Sequence, residues 1–158
     1  MNFLIHLAFF SLVWAEKCLQ FGTMHITKND GPRSERNQPK YLVVVNRYIF
    51  ASYWQSFFSY DEDGYLEKFK TGTYVGVNGH GQMFMANSPQ SGFSLTPVGG
   101  SKSSVLSFDG NKVFHLCADD SIDLTNRCEG AVPVTIVFNP ISGPCTGADE
   151  PRVKEEIL

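Results

Sequence analysis

Residues 92–117, GFSLTPVGGSKSSVLSFDGNKVFHLC, thread short apolar runs between turn-forming Gly, Pro, Asn and Asp, and the stretch ends on a cysteine. No part of it holds apolar residues at helical spacing. SVLSF and KVFHL have the length and the aromatic and β-branched content of strands, and Asp109-Gly110 between them is a hairpin signal. The stretch reads as scaffold, with strands joined by tight turns.

The same cadence continues in both directions. LQFGTMHIT (19–27) and YLVVVNRYIFAS (41–52) read as strands. KNDGPRSERNQP (28–39) between them is a polar loop with two prolines. TYVGVNGHGQMFMAN (73–87) is a hairpin about Asn78-Gly79. VPVTIVF (132–138) is a last strand, with Pro133 near its start, where a missing N–H costs least. The single helix candidate, SYWQSFFSYDEDGYLEKF (52–69), is interrupted by Gly64 and crowded with aromatic rings, so strand is the better reading.

Three segments recur at intervals of about 36 residues, opening at Phe21, at Phe57 or Phe58, and at Phe93. Three units of short strands are expected to close as a β-trefoil-like barrel, and a β-sandwich is the alternative with the same spacing. The expected class is all-β and disulfide-stabilised.

The chain has 158 residues, enough for one domain around one core. NFLIHLAFFSLVW (2–14) is apolar but too short to span a bilayer, and Val13 and Ala15 are small residues placed for cleavage. Residues 1–15 are therefore expected to be a signal peptide, residues 16–145 the all-β domain and residues 146–158 a charged tail. Thirteen basic and sixteen acidic residues leave a formal charge of −3 with no basic stripe, which argues against nucleic acid as a partner. No second apolar run suits a membrane span, and the charged end ADEPRVKEEIL does not suit a lipid-anchor signal.

Four cysteines, Cys18, Cys117, Cys128 and Cys145, follow the expected cleavage point. An even count in an exported chain points to disulfides, and no CxxC pair or Cys/His spacing supports zinc. Three connectivities are possible. The preferred one joins Cys117 to Cys128 across a short loop and Cys18 to Cys145 across the chain ends.

Around GFSLTPVGG, LSFDGNKVFHLC and DLTNRCEGAVPVTI the chain resembles the C-terminal domain of Pir-type yeast cell-wall mannoproteins. The elements that carry the resemblance are residues 92–97, 113–117, Cys128 and 133–136, within a span of roughly 58–138. It implies a secreted fungal cell-surface protein and brings no catalytic residues. The Gln-rich repeats through which such proteins become ester-linked to β-1,3-glucan are not in this sequence.

Several side-chain groups invite chemistry. YDEDGYLE places Asp61, Glu62, Asp63 and Glu67 together, as a Ca²⁺ loop fragment or a glycosidase acid–base pair would, yet a solvated turn accounts for them. CADDSIDLTNRC sets Asp119, Asp120 and Asp123 in the loop between two cysteines, where Asp also forms turns. His25, His80 and His115 accompany no nucleophile motif; His115 alternates with Phe114 and Leu116 and is expected to face away from the core, and His80 to be exposed. The expectation is no enzyme activity, no cofactor and no metal.

The aromatic run YIFASYWQSFFSY (48–60) is different. Successive residues of a strand point to opposite sides, so some of these rings must reach the surface. Tyr48, Tyr53, Trp54 and Tyr60 are the candidate carbohydrate-binding residues, stacking on the C–H faces of β-glucan or chitin. The expected role is structural or adhesive, through noncovalent contact with cell-wall polysaccharide or other wall proteins. The alternative is a soluble secreted lectin-like or effector binding module.

Overall fold

A computed structural model describes residues 19–28 and 38–141. The expected leader, the charged tail, Cys18, Cys145 and their pairing lie outside the described residues.

The described chain is all-β. Its strands are β1 (Leu19–Lys28), β2 (Tyr41–Val45), β3 (Tyr48–Ser52), β4 (Phe57–Asp61), β5 (Tyr65–Lys68) and β6 (Thr73–Val77), then β7 (Met83–Ala86), β8 (Phe93–Pro97), β9 (Ser104–Phe108), β10 (Phe114–Leu116), β11 (Ile122–Asp123) and β12 (Val132–Pro140). No described residue is helical, and the helix candidate at 52–69 forms β4, β5 and their connections.

One edge of β1 pairs with β12 from Gly22 to Lys28. Its other edge is shared: Leu19–Thr23 pair with β4, and His25 pairs with Tyr41 of β2. The antiparallel path β1–β2–β3–β7–β6–β5–β4 therefore returns to β1 and closes a seven-stranded barrel. The remaining strands extend the same sheet, with β8 on β9, and β9 and β10 side by side on β12. Because everything joins one closed sheet, the sandwich alternative is set aside. Closure also leaves fewer free edges through which an aromatic-rich chain would aggregate.

Alternation decides the interior. Met24 and Ile26 of β1, Leu42 of β2, Phe58 of β4, Leu66 of β5, and Val134, Ile136 and Phe138 of β12 are buried in one cluster. Each large side chain so enclosed contributes roughly 1.5–3 kcal/mol relative to exposure. Gly22 has a specific reason to lack a side chain: a Cβ there would run into the backbone carbonyl of Asn139 on β12.

Two local expectations change. Residues 41–52, read as one strand, form the hairpin β2–β3, whose two-residue loop is Asn46 (φ 47°) and Arg47 (φ 68°). Two consecutive positive φ values are what a twisted hairpin loop of this length requires. Conversely, Asp109 and Gly110 do make a tight turn, with Phe108 and Asn111 exchanging backbone hydrogen bonds of 3.0 and 2.9 Å, but β9 and β10 do not pair. Both edges of β9 are already taken by β8 and β12, so β10 continues onto β12 and β11 instead. The hairpin at 73–87 forms as read: Val77 faces Met83, and Asn78 Oδ1 accepts from the amides of His80 and Gln82 at 3.0 and 3.1 Å.

Candidate functional site

The loop joining β3 to β4, residues 53–56, is held at both ends. The Trp54 amide donates to Ser52 Oγ at 3.3 Å, the Ser56 amide to the Leu42 carbonyl at 3.0 Å, and the Val44 amide to Ser56 Oγ at 3.1 Å. Just before it, the Ala51 amide donates to the Asp120 carbonyl at 2.8 Å, and Asp120 in turn pairs with Lys40 at 2.6 Å. These bonds fix the backbone that carries two neighbouring rings.

Those rings are Tyr53, 66% exposed, and Trp54, 80% exposed. Neither stacks on another aromatic side chain among the described residues. Phe57, at the start of β4, is also partly exposed. The other two candidate rings are elsewhere. Tyr48 is exposed at the far end of β3, five residues from Tyr53, roughly 16 Å along an extended strand. Tyr60 packs against the core, its hydroxyl donating to the Phe93 carbonyl at 3.4 Å. Burial raises the Tyr60 pKa, an effect opposed by a hydrogen bond from the Leu95 amide. The sequence thus grouped four rings, and the fold brings together Tyr53 and Trp54.

The cystine loop is a second, polar region. Cys117 and Cys128 form a disulfide, with Cα atoms 5.6 Å apart. Asp123 lies beside both sulfurs, but sulfurs bonded to each other are not thiolates and do not form a zinc site. Asp119 and Asp123 hold the backbone. Asp119 Oδ1 accepts from the Ser121 amide and hydroxyl at 3.0 and 2.6 Å, which lowers the Asp119 pKa, and buried Asp123 accepts from the Thr125 amide and hydroxyl at 2.6 and 2.7 Å. Gly81 (φ +95°) fits against this loop only because it lacks a side chain, since a Cβ would approach Thr125 Cγ2 to 2.7 Å. A shallow depression of about 540 Å³ lies here, bordered by His80, Gln82, Asp119, Asp123 and Glu129.

The acidic stretch 61–67 is the β4–β5 hairpin. Asp61 Oδ1 accepts from the Asp63 amide at 2.8 Å, and Glu67 Oε1 accepts from the Gly72 amide at 2.9 Å. His80 is exposed in the β6–β7 turn. His115 lies outside the core cluster but is only half-exposed, and its Nδ1 is shielded without a hydrogen-bond partner, opposite Pro133. His25 is half-buried; its Nδ1 meets Asn139 Nδ2 at 2.6 Å, its ring meets Tyr41 edge-on, and burial lowers its pKa.

Among the described residues no helix is long and apolar enough to cross a membrane. Compared with known proteins, the chain matches no family model, no curated protein and no solved structure. A further groove, between the β2–β3 and β5–β6 turns, was not signalled by the sequence, because its residues come from three separate segments.

Proposed function

We propose that this is a secreted, non-enzymatic protein of the fungal cell wall or extracellular space, which attaches to polysaccharide through Tyr53 and Trp54. The observation that carries the reading is Trp54, 80% exposed on a loop held by its own hydrogen bonds. Leaving such a ring in water forgoes the stabilisation that its burial would bring. An amphipathic ring with an open face suits the C–H face of a sugar, whose hydroxyls remain free to bond elsewhere.

The scaffold in this reading is a β-trefoil. Support comes from connectivity: β1–β4, β4–β5, β8–β9, β9–β12 and β12–β1 are paired, and the β5 end meets β8 where the Phe93 amide donates to the Gly64 carbonyl at 3.2 Å. The other six strands form the hairpins β2–β3, β6–β7 and β10–β11. These touch one another in a cycle, through Tyr48 opposite Phe84, Gln82 opposite Asp123 and Phe50 opposite Ser121. The three units then open at Leu19, Tyr65 and Ser104. In that register Phe57, Phe58 and Phe93 fall on the last strands of the first two units and do not open units of their own.

The test is co-sedimentation with insoluble β-1,3-glucan and chitin. The wild-type chain is expected in the pellet with at least one polymer, and Trp54→Ala in the supernatant. Retention of Trp54→Ala at the wild-type level would remove the aromatic reading, and failure to bind either polymer would favour a soluble lectin-like or effector module.

A further inference from the structure

The groove between the β2–β3 and β5–β6 turns has a volume of about 430 Å³. Its apolar contributors are Val44 and Met85, which continue the inward-facing series of the barrel beside Leu42 and Val75. Its rim is polar and contains no acid: Asn46 and Arg47 from one turn, Lys68 and Thr73 from the β5–β6 hairpin, and Asn87 after β7.

Two cations line this rim, Arg47 exposed and Lys68 more enclosed. Lys68 is half-buried, on the same side of β5 as the fully buried Leu66. Among the described residues neither Lys68 nor Arg47 has a carboxylate within 4.0 Å. Glu67, next in sequence, alternates to the other side of β5 and accepts from the Gly72 amide. An ammonium with no carboxylate in reach remains available to an anionic ligand.

The neighbouring groups narrow the ligand. The Thr71 hydroxyl donates to the Lys68 carbonyl at 2.8 Å and so receives the Thr73 hydroxyl, 2.8 Å away, which leaves neither hydroxyl proton free. The donors still available are the Arg47 guanidinium, the Lys68 ammonium and the side-chain amides of Asn46 and Asn87. A planar fork and a point charge lining one groove match an oxyanion, which accepts from both.

We propose that this groove binds an oxyanion, the free ion or the acidic group of a saccharide. The site is separate from Tyr53 and Trp54, and the proposal does not depend on the reading given to them.

Titration calorimetry at low ionic strength tests it, with inorganic phosphate, inorganic sulfate and a short oligogalacturonate as the probes. At least one is expected to bind saturably and to weaken as NaCl is added. Lys68→Gln and Arg47→Gln should each lower affinity at least about tenfold, because each removes a charge-assisted hydrogen bond, while Lys112→Gln leaves it unchanged. Oligogalacturonate binding at least about tenfold tighter than the inorganic ions identifies a saccharide ligand, and equal affinities identify the free ion. Amide chemical shifts of the unaltered protein supply an independent readout, with changes expected at residues 46–47, 68–73 and 87. No saturable binding by any probe, affinity unaltered in Lys68→Gln, or shifts confined to other residues would overturn the assignment.

Discussion

Phe58 and Trp54 stand four residues apart in one aromatic run, and the first is 0% exposed while the second is 80% exposed. Phe58 sits on the inner side of β4, enclosed by the barrel. Trp54 sits in a loop whose amides donate to Ser52 Oγ and to the Leu42 carbonyl, and its ring stays in solvent. The same class of side chain is enclosed on a closed strand and exposed on a short loop. Strand alternation and barrel closure separate the two environments.

That contrast can be broken in graded steps. Phe58→Ala should have the largest effect, about 3–5 kcal/mol of lost stability in denaturant unfolding, because the ring is fully enclosed. Replacing Cys117 and Cys128 together by serine should cost about 2–3 kcal/mol, as expected for a short closed loop in the chain-entropy model. Asp123→Ala should cost about 1 kcal/mol by leaving the half-buried Thr125 amide and hydroxyl without their acceptor. Trp54→Ala should shift stability by less than about 0.5 kcal/mol, since the ring packs on little. A large loss of stability in Trp54→Ala would show that the ring is structural after all.

Acid sharpens the same comparison between interior and surface. The His25 pKa is lowered by burial from its ordinary 6.5, so the unfolded chain takes up a proton more readily there. Stability is full above pH 6.5 and falls as pH drops from there toward the lower folded value. Asp119 behaves differently: Ser121 lowers its pKa below 3.8, so its contribution is present above that value and is lost as pH falls through the folded one. Melting temperature against pH should therefore decline in two separate acid ranges. The upper decline should flatten in His25→Gln and the lower in Asp119→Asn.

Strand content was legible in the sequence because alternation and turn residues are local signals. Leu19–Lys28, the Asn78 hairpin and the short cystine bridge were readable on that basis. Closure was not, because β1 finds β12 across more than one hundred residues and splits its other edge between β2 and β4. Arg47 at positive φ carries no turn signature, so the β2–β3 hairpin was read as one strand. Asp109-Gly110 carries a strong one, yet occupied edges prevented the ladder. At the candidate site the aromatic class was visible, but only burial separates Tyr60 from Tyr53 and Trp54.

Acrylamide quenching of Trp54 fluorescence, in a chain where Trp14→Phe leaves it the sole tryptophan, reports on that ring alone. Titration with β-1,3-gluco-oligosaccharide or chito-oligosaccharide should protect it saturably from quenching and shift its emission to the blue. Quenching that stays at its unliganded value through saturating amounts of both sugars would contradict the account.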